Sequence, residues 1–456
     1  MLLLEKKRIS SKILSEITSG EHREIVLSKV IGQDTVIFKG ITFDRLSISE
    51  STFKSNLSFI NCYFRGDLDL NTIKILGQLS FINCRFKNDL NIYRLTAVDG
   101  LKVTLTSILQ RFNIRGINAG LIDIDEMTSK YMRILASDGS PSIKKMSITR
   151  TEILSSLKVE GVSISEDVLI DDLEGTLLSM SNVRIERGVS VQINNSGVEN
   201  VNIDTSVFEK NSELLVSKSI IKNFTFKQIK MKHSFMQLHR TLISEILSIF
   251  DIDYIDSDMD ISTSESSTVS ISGKLTSFVK SKDKNSLLFK ETHSPEQRMG
   301  TLKILKSSFA KNHDYESEDK CFYLLKTEES KTKIKASKHI YKVRDYLSYL
   351  GSRFVLGWGV KISNPILSYT MFIAISSIYF YFKLSLYVYD NTVVYIGEQM
   401  HGFYASTILA ILSVFSQQGE VSLTGVVPSH AFMIEFVVGI IMTTIIAGIL
   451  IRKLVR

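Results

Sequence analysis

The stretch LSFINCYFRGDLDL at residues 57–70 returns as LSFINCRFKNDLNI at residues 79–92. Nine of the fourteen positions are identical at an offset of 22 residues, so the two segments are copies of one structural unit. Within and before them, large apolar residues recur five positions apart. The side chains that this spacing predicts to lie in the core are Phe38, Phe43, Ile48, Phe53, Phe59, Phe64, Phe81 and Phe86.

A period of five fits neither a helix, which repeats every 3.6 residues, nor a flat strand, which repeats every two. It fits a four-sided coil of about 20 to 22 residues, in which each side points one residue inward and each coil buries its core on its neighbours. A β-sandwich would instead need hairpin turns every 8 to 12 residues. Residues 36–230 contain no Asn-Gly and only two Asp-Gly pairs, at 99–100 and 138–139.

Four five-residue segments resemble the units of the pentapeptide-repeat family: CYFRG at 62–66, CRFKN at 84–88, ITFDR at 41–45 and STFKS at 51–55. The resemblance implies a right-handed quadrilateral β-helix in which the central Phe or Leu stacks on its counterpart one coil away. Cys62 and Cys84 would then be small inward residues. The match is specific for residues 36–92 and weaker from there to residue 230.

Two long apolar runs near the end of the chain predict membrane spans. The first, residues 363–382, has 20 uncharged residues, and the second, residues 431–451, has Glu435 as its only charge. At about 1.5 Å per residue, each covers the roughly 30 Å of a bilayer's hydrocarbon core. The alternative is a buried helix of a soluble domain, but such helices rarely reach this length without charges.

Lysine and arginine are distributed unequally about these spans. Several precede the first span or follow the second, whereas Lys383 is the only one between them. The positive-inside tendency predicts a multi-pass protein of the inner (plasma) membrane with both termini cytoplasmic. Residues 331–361 carry eight Lys or Arg and a single acid, Asp345. This segment is either attracted to anionic lipid or forms a solvated helix face.

The order of β-helix, FAKNHDY hairpin, basic helix, span, short loop, span and closing GILIRKLVR resembles bacterial pentapeptide-repeat proteins that end in a two-span, potassium-channel-like pore domain. The resemblance implies a homotetramer with a re-entrant pore helix. Residues 402–416, uncharged and too short to span, are the candidate helix. Potassium filters need T-x-G-Y-G, which the SVFSQQGE motif at 413–420 lacks, so potassium selectivity is not expected.

Polar residues at the filter position and the one charge in the last span are the predicted pore residues. They are Ser413, Ser416, Gln417, Gln418, Gly419, Glu420 and Glu435. A carboxylate inside a span is expected to face a pore or to reach the surface. The alternative for residues 402–416 is an interfacial helix that lies flat and leaves no conducting path.

Composition and motifs bear on other functions. There is no P-loop, nucleophile elbow or HExxH, and the three cysteines form no CxxC pair, so we expect no enzyme, cofactor or metal site. The Asp-rich residues 251–260 lack the central Gly and final Glu of a calcium loop. The formal charge of +7 on 456 residues does not indicate a nucleic-acid binder.

These observations predict five regions: an N-terminal cap at 1–24, a β-helix at 25–230, a helix and polar insert at 231–293, a helical linker at 294–362 and a pore-like membrane domain at 363–456. The inserted helix is predicted from Ser234 onward, and Ser294 is predicted to cap the next one. The favoured function is an oligomeric pore in lipid, controlled by a β-helix that binds a protein or ligand partner. The alternative is a membrane-tethered β-helix scaffold without conduction.

Overall fold

A computed structural model describes residues 2–5, 8–9, 24–136, 142–271, 287–290, 293–387, 406–407, 410–411 and 429–455. The chain divides into two compact units, residues 1–312 and 313–456. The described part of the first unit is a β-solenoid followed by a helix, and the described part of the second unit is helical.

The solenoid is built of short strands, all paired in parallel, which we number β1 to β33 in chain order. Their bounds are Leu2–Glu5, Arg8–Ile9, Glu24–Ser28, Ile31–Gly32, Val36–Lys39, Thr42–Phe43, Arg45–Ser49, Thr52–Phe53, Leu57–Ile60, Tyr63–Phe64, Leu68–Ile75, Gln78–Ile82, Arg85–Phe86, Leu90–Ala97, Gly100–Thr104, Ser107–Arg115, Asn118–Asp125, Thr128–Leu135, Ser142–Glu160, Ser163–Ile164, Val168–Ser181, Arg184–Ile185, Ser190–Asn194, Gly197–Asp204, Val207–Phe208, Glu213–Ser217, Ile220–Lys227, Lys230–Lys232, Phe235–His239, Leu242–Phe250, Asp253–Ile255, Asp258–Asp260 and Glu265–Ile271.

One column of apolar residues runs through the whole solenoid and shows its register. Each member pairs with the next across a parallel ladder, at steps of 20 to 25 residues. The column is Leu4, Leu27, Ile48, Leu70, Ile92, Ile114, Ile134, Val159, Met180, Ile203, Phe226, Ile249 and Ile271. The column is continuous from Leu4 to Ile271, although β-bulges shift the register within several of the ladders, and it confirms the predicted solenoid.

The eight predicted core residues of the repeat lie inside, each at most 1% exposed. Phe59 stacks between Phe38 and Phe81 at ring-centroid distances of 5.1 and 5.0 Å. Phe64 stacks between Phe43 and Phe86 at 5.0 and 4.3 Å. The two columns meet edge to face, the arrangement that aromatic quadrupoles favour.

The cysteines and corner asparagines of the repeat also stack coil upon coil. Cys62 and Cys84 are buried, and each thiol donates to a backbone carbonyl of the preceding coil at 3.3 Å. Asn61 and Asn83 turn the corners with φ of 53° and 51°, a region that asparagine tolerates better than most residues. The amide of Asn83 donates to the Asn61 side-chain oxygen at 2.8 Å. These positions are therefore structural.

The solenoid extends beyond its predicted bounds of 25–230. Leu2–Glu5 and Arg8–Ile9 pair with β3 and β4, so these residues of the predicted N-terminal cap form part of a coil. The helix predicted from Ser234 is wrong, because Phe235–His239 and Leu242–Phe250 are strands that continue the ladder. The helix was predicted because apolar residues recur at steps of three and four, which would place them on one buried face. Two of those residues, Leu242 and Ile246, are exposed instead. Pairing with the preceding coil overrides the local periodicity.

Helix α1, Pro295–Lys311, packs against β33, the last strand of the solenoid. Its predicted capping box is confirmed: Gln297 N donates to Ser294 Oγ at 3.2 Å, and Ser294 N donates to Gln297 Oε1 at 2.9 Å. Leu302 and Leu305 are buried. The helix thus covers the open ladder edge of the final coil, which would otherwise be free to pair with another chain.

Polar contacts fix the start of α1 to the last coil. His293 Nε2 lies 2.6 Å from Asp258 Oδ1, and Gln297 Nε2 donates to Asp260 Oδ2 at 2.9 Å. Burial acts to raise the pKa of Asp260, but hydrogen bonds from Ser262, Gln297 and Gln237 outweigh it and leave the pKa below its ordinary value. These contacts, which we call the end cap, bind α1 to the solenoid.

The described helices of the second unit are α2 Tyr315–Ala336, α3 His339–Leu350, α4 Ser363–Tyr387 and α5 Ser429–Val455. A π-helical turn at Gly351–Val355 and a 3-10 turn at Gly357–Gly359 connect α3 to α4. Gly357, Trp358 and Gly359 all have positive φ, of 54°, 55° and 71°. The entry to α4 is thus a sharp elbow whose glycines permit its backbone.

Candidate functional site: the helices beside the membrane spans

Helices α4 and α5 contain the two segments long and apolar enough to cross a membrane, Ser363–Phe382 and Met433–Val455. Their mean hydropathies are 1.4 and 2.5, and only 22% of each most apolar window is buried within the chain. A core helix of a soluble protein would be mostly buried. The exposed apolar sides of both helices need a non-aqueous environment or another copy of the chain to cover them.

The two helices contact each other along faces that include polar residues. In α5 the buried residues are Glu435, Gly439, Met442 and Ile449, whose steps of four, three and seven place them in one stripe along the helix. In α4 the buried residues include Ser376 and Ser377. Glu435 is only 5% exposed, so its carboxylate is held inside the chain. This is the environment expected of an ionisable group in a span.

The other pore candidates, Ser413, Ser416, Gln417, Gln418, Gly419 and Glu420, lie outside the described residues. Of the candidate re-entrant segment 402–416, the structure describes four residues, all helical: Ser406, Thr407, Ala410 and Ile411. The re-entrant helix therefore stays a prediction.

Helix α2 is bound to the end of the last span. Arg452, which lies near the end of α5, donates to Asp319 Oδ1 at 2.8 Å. Its guanidinium also lies 5.8 Å from the ring centroid of Phe322. Asp319 is 16% exposed and Arg452 32%, so the ion pair is partly shielded from water and its attraction is stronger than on an open surface.

The same face of α2 holds the entry to the first span. The ammonium of Lys361, two residues before α4, lies 3.9 Å from the ring centroid of Tyr323. Asp319, Phe322 and Tyr323 are spaced i, i+3 and i+4 and so share one helical face, which we call the coupling face. It binds the residue that leads into α4 and the residue that ends α5. A shift of α2 would therefore act on both apolar helices together.

The single acid of the basic segment joins α2 to α3. Asp345 is 7% exposed; it accepts from Ser337 Oγ at 2.5 Å and lies within 3.6 Å of Lys333 and Arg344. The hydrogen bond from Ser337 and the two cations lower the pKa of Asp345, although burial opposes them. The carboxylate thus stays charged and fixes the joint between the helices.

Helix α3 combines exposed apolar and basic side chains. Tyr341, Val343 and Leu347 are each more than half exposed, and Lys342 and Arg344 lie beside them in the sequence. Such a helix is typical of a membrane interface, where apolar groups enter the headgroup layer and cations meet anionic lipid. Lipid contact of the basic segment stays a prediction.

Searches of protein-family models, curated proteins and solved structures found no match to this chain. The fold and the site therefore rest on the sequence and the structure themselves. Among the described residues, no group of three or more His, Cys, Asp or Glu is placed to hold a metal ion. Sequence reasoning missed the coupling face, because its partners lie 133 residues apart and no local pattern connects them.

Proposed function

We propose that the chain is a membrane protein of the inner (plasma) membrane whose copies assemble into a pore, with the solenoid on the cytoplasmic side controlling its opening. The coupling face carries the proposal, because one helix binds the start of one span and the end of the other. Only residues 312–314 separate α1, which is fixed to the solenoid, from α2. The covalent connection between the solenoid and α2 is therefore short.

Several copies are needed because two spans cannot enclose a water-filled path. The apolar sides of α4 and α5 that are exposed in one chain are available for lipid and for neighbouring subunits. The resemblance to two-span channels favours four copies. The proposal contains no catalytic role and no cofactor.

A flux assay tests the coupling. The full chain is reconstituted in liposomes, and cation efflux is compared for wild type, Asp319→Arg, Arg452→Asp and the double exchange. A pair of this exposure is worth about 1 kcal/mol, so losing it should shift an open–closed equilibrium about fivefold. The double exchange restores the attraction and should return flux to near the wild-type value. Because the filter motif lacks the second glycine and the tyrosine, the permeability of the pore to potassium should be less than about tenfold its permeability to sodium.

The matched control exchanges an exposed pair on the same helix, Lys320→Glu with Glu316→Lys, whose wild-type distance is 2.5 Å. It should leave flux unchanged. Absence of flux from correctly inserted wild-type protein would favour the membrane-tethered scaffold instead. Equal flux from all variants would reject the coupling face while leaving the pore intact.

The topology is tested by cysteine labelling. Asn391→Cys, between the spans, should react with a membrane-impermeant maleimide added outside intact cells, whereas Ser330→Cys in α2 should react only after permeabilisation. The wild-type chain serves as the control because Cys62, Cys84 and Cys321 are all buried. Labelling of Ser330→Cys but not Asn391→Cys in intact cells would reverse the proposed orientation.

A further inference from the structure

The outer face of the solenoid carries a groove formed by four successive coils, with a volume of about 520 Å³. Alternate residues of each strand point outward, so β16, β18 and β19 each contribute side chains to the groove. Its ladder pairs are Arg111 with Tyr131, Asn113 with Arg133, and Arg133 with Lys158. Tyr93 and Arg115 lie on its first edge. We call this the basic groove.

Four cations line the basic groove: Arg111, Arg115, Arg133 and Lys158. No acidic side chain lines it, although Asp89 accepts from the backbone of Arg111 and Glu160 follows at the far border. Among the described residues, none of the four cations forms an ion pair. Adjacent coils are about 4.8 Å apart, so the four positive charges repel one another in the empty groove.

Some cations of the solenoid pair with an acid on a neighbouring coil, as Lys102 does with Asp123 and Arg184 with Glu209. The basic groove differs in that four cations and no acidic side chain line one concave site. An anion that enters from outside the chain would meet all four charges at once and would offset their mutual repulsion.

The shape and the neutral residues of the groove narrow the class of anion. Tyr93 and Tyr131 line the groove with aromatic rings, on which a planar ring can stack, and Lys130 Nζ lies over the Tyr131 ring at 5.5 Å from its centroid. The side chains of Asn113 and Ser156 are polar and capable of hydrogen bonding. The volume lies within the range of sites for small organic ligands. We propose that the basic groove binds a nucleotide with two or more phosphate groups, held by the four cations and by stacking on tyrosine.

Binding is measured on the full chain in detergent, by equilibrium dialysis with labelled ATP and by thermal unfolding. Pyrophosphate, inorganic phosphate and oligothymidylate serve as comparison probes. Arg133→Gln with Lys158→Gln should weaken ATP binding about tenfold or more, since each removes a charge-assisted contact. Tyr131→Leu should weaken ATP binding about fivefold but leave pyrophosphate binding unchanged, because only ATP has a ring to stack.

The matched control is Arg184→Gln with Lys222→Gln, which removes the same charge from paired sites away from the groove. It should bind ATP as wild type does. The groove variant should melt no lower than wild type without ligand, because its substitutions relieve repulsion, and this shows that it is folded. The proposal is overturned if wild type does not bind ATP, if both double variants lose equal affinity for ATP, or if oligothymidylate binds more tightly than ATP. The measurement is independent of ion flux, so it stands whether or not the membrane helices conduct.

Discussion

Phe64→Asp is expected to unfold the solenoid. The ring is 1% exposed and stacks between Phe43 and Phe86, with Phe59 against its edge. Loss of a buried Phe ring costs about 3 to 5 kcal/mol, and an unpaired carboxylate in its place adds several more. The sum is comparable to the whole stability of a typical domain, about 5 to 15 kcal/mol.

The neighbouring residue provides the control. Tyr63 lies in the same two-residue strand but is 38% exposed, because its side chain points outward. Tyr63→Asp should cost about 1 kcal/mol, the range of strand preferences at exposed positions. Circular dichroism and thermal unfolding of the full chain in detergent distinguish the two. A folded Phe64→Asp protein that melts with wild type would contradict the stacked core.

Gly100→Ala is expected to destabilise the solenoid by about 3 kcal/mol or more. Gly100 has φ of 110°, which side chains rarely adopt, and an added Cβ would lie 2.1 Å from the carbonyl oxygen of Leu121 on the next coil. Relief would require the backbones of two coils to separate, which weakens the ladder between Leu101 and Ile122. The measurement is the midpoint of denaturant unfolding.

Gly188→Ala is the control that separates backbone strain from steric clash. Gly188 has φ of 76°, but nothing lies within 4 Å of the position its Cβ would take. This variant should cost only the strain of a left-handed residue, about 1 kcal/mol. If both variants lose the same free energy of unfolding, the steric clash between Gly100 and the next coil does not contribute to the cost of Gly100→Ala.

The repeat made most of the fold predictable. Its five-residue period implied stacked coils, and the capping box at Ser294 and the two apolar runs marked helices correctly. The prediction failed where the repeat fades. Residues 234–250 look helical by spacing, but the preceding coil presents an open ladder, and backbone pairing to it decides the structure.

The two candidate sites were less visible in the sequence, for a physical reason. The coupling face depends on residues 133 positions apart, and the basic groove depends on which outward residues share a column. Coil lengths vary between 20 and 25 residues in this solenoid, so a fixed period assigns the wrong neighbours within a few coils. Only the ladder register brings Arg133 beside Lys158.

The end cap also determines how the solenoid responds to mechanical load. Each coil is held only by its neighbours, so tension drawn along the chain from α2 reaches α1 and then the last coil before any other. The load peels this coil from the stack, and the first contacts to bear it are those of His293 with Asp258 and Gln297 with Asp260. Tension applied at this end is therefore expected to detach the coils one after another, beginning with the last. The stacked phenylalanines of residues 38–86 would be among the last contacts to separate.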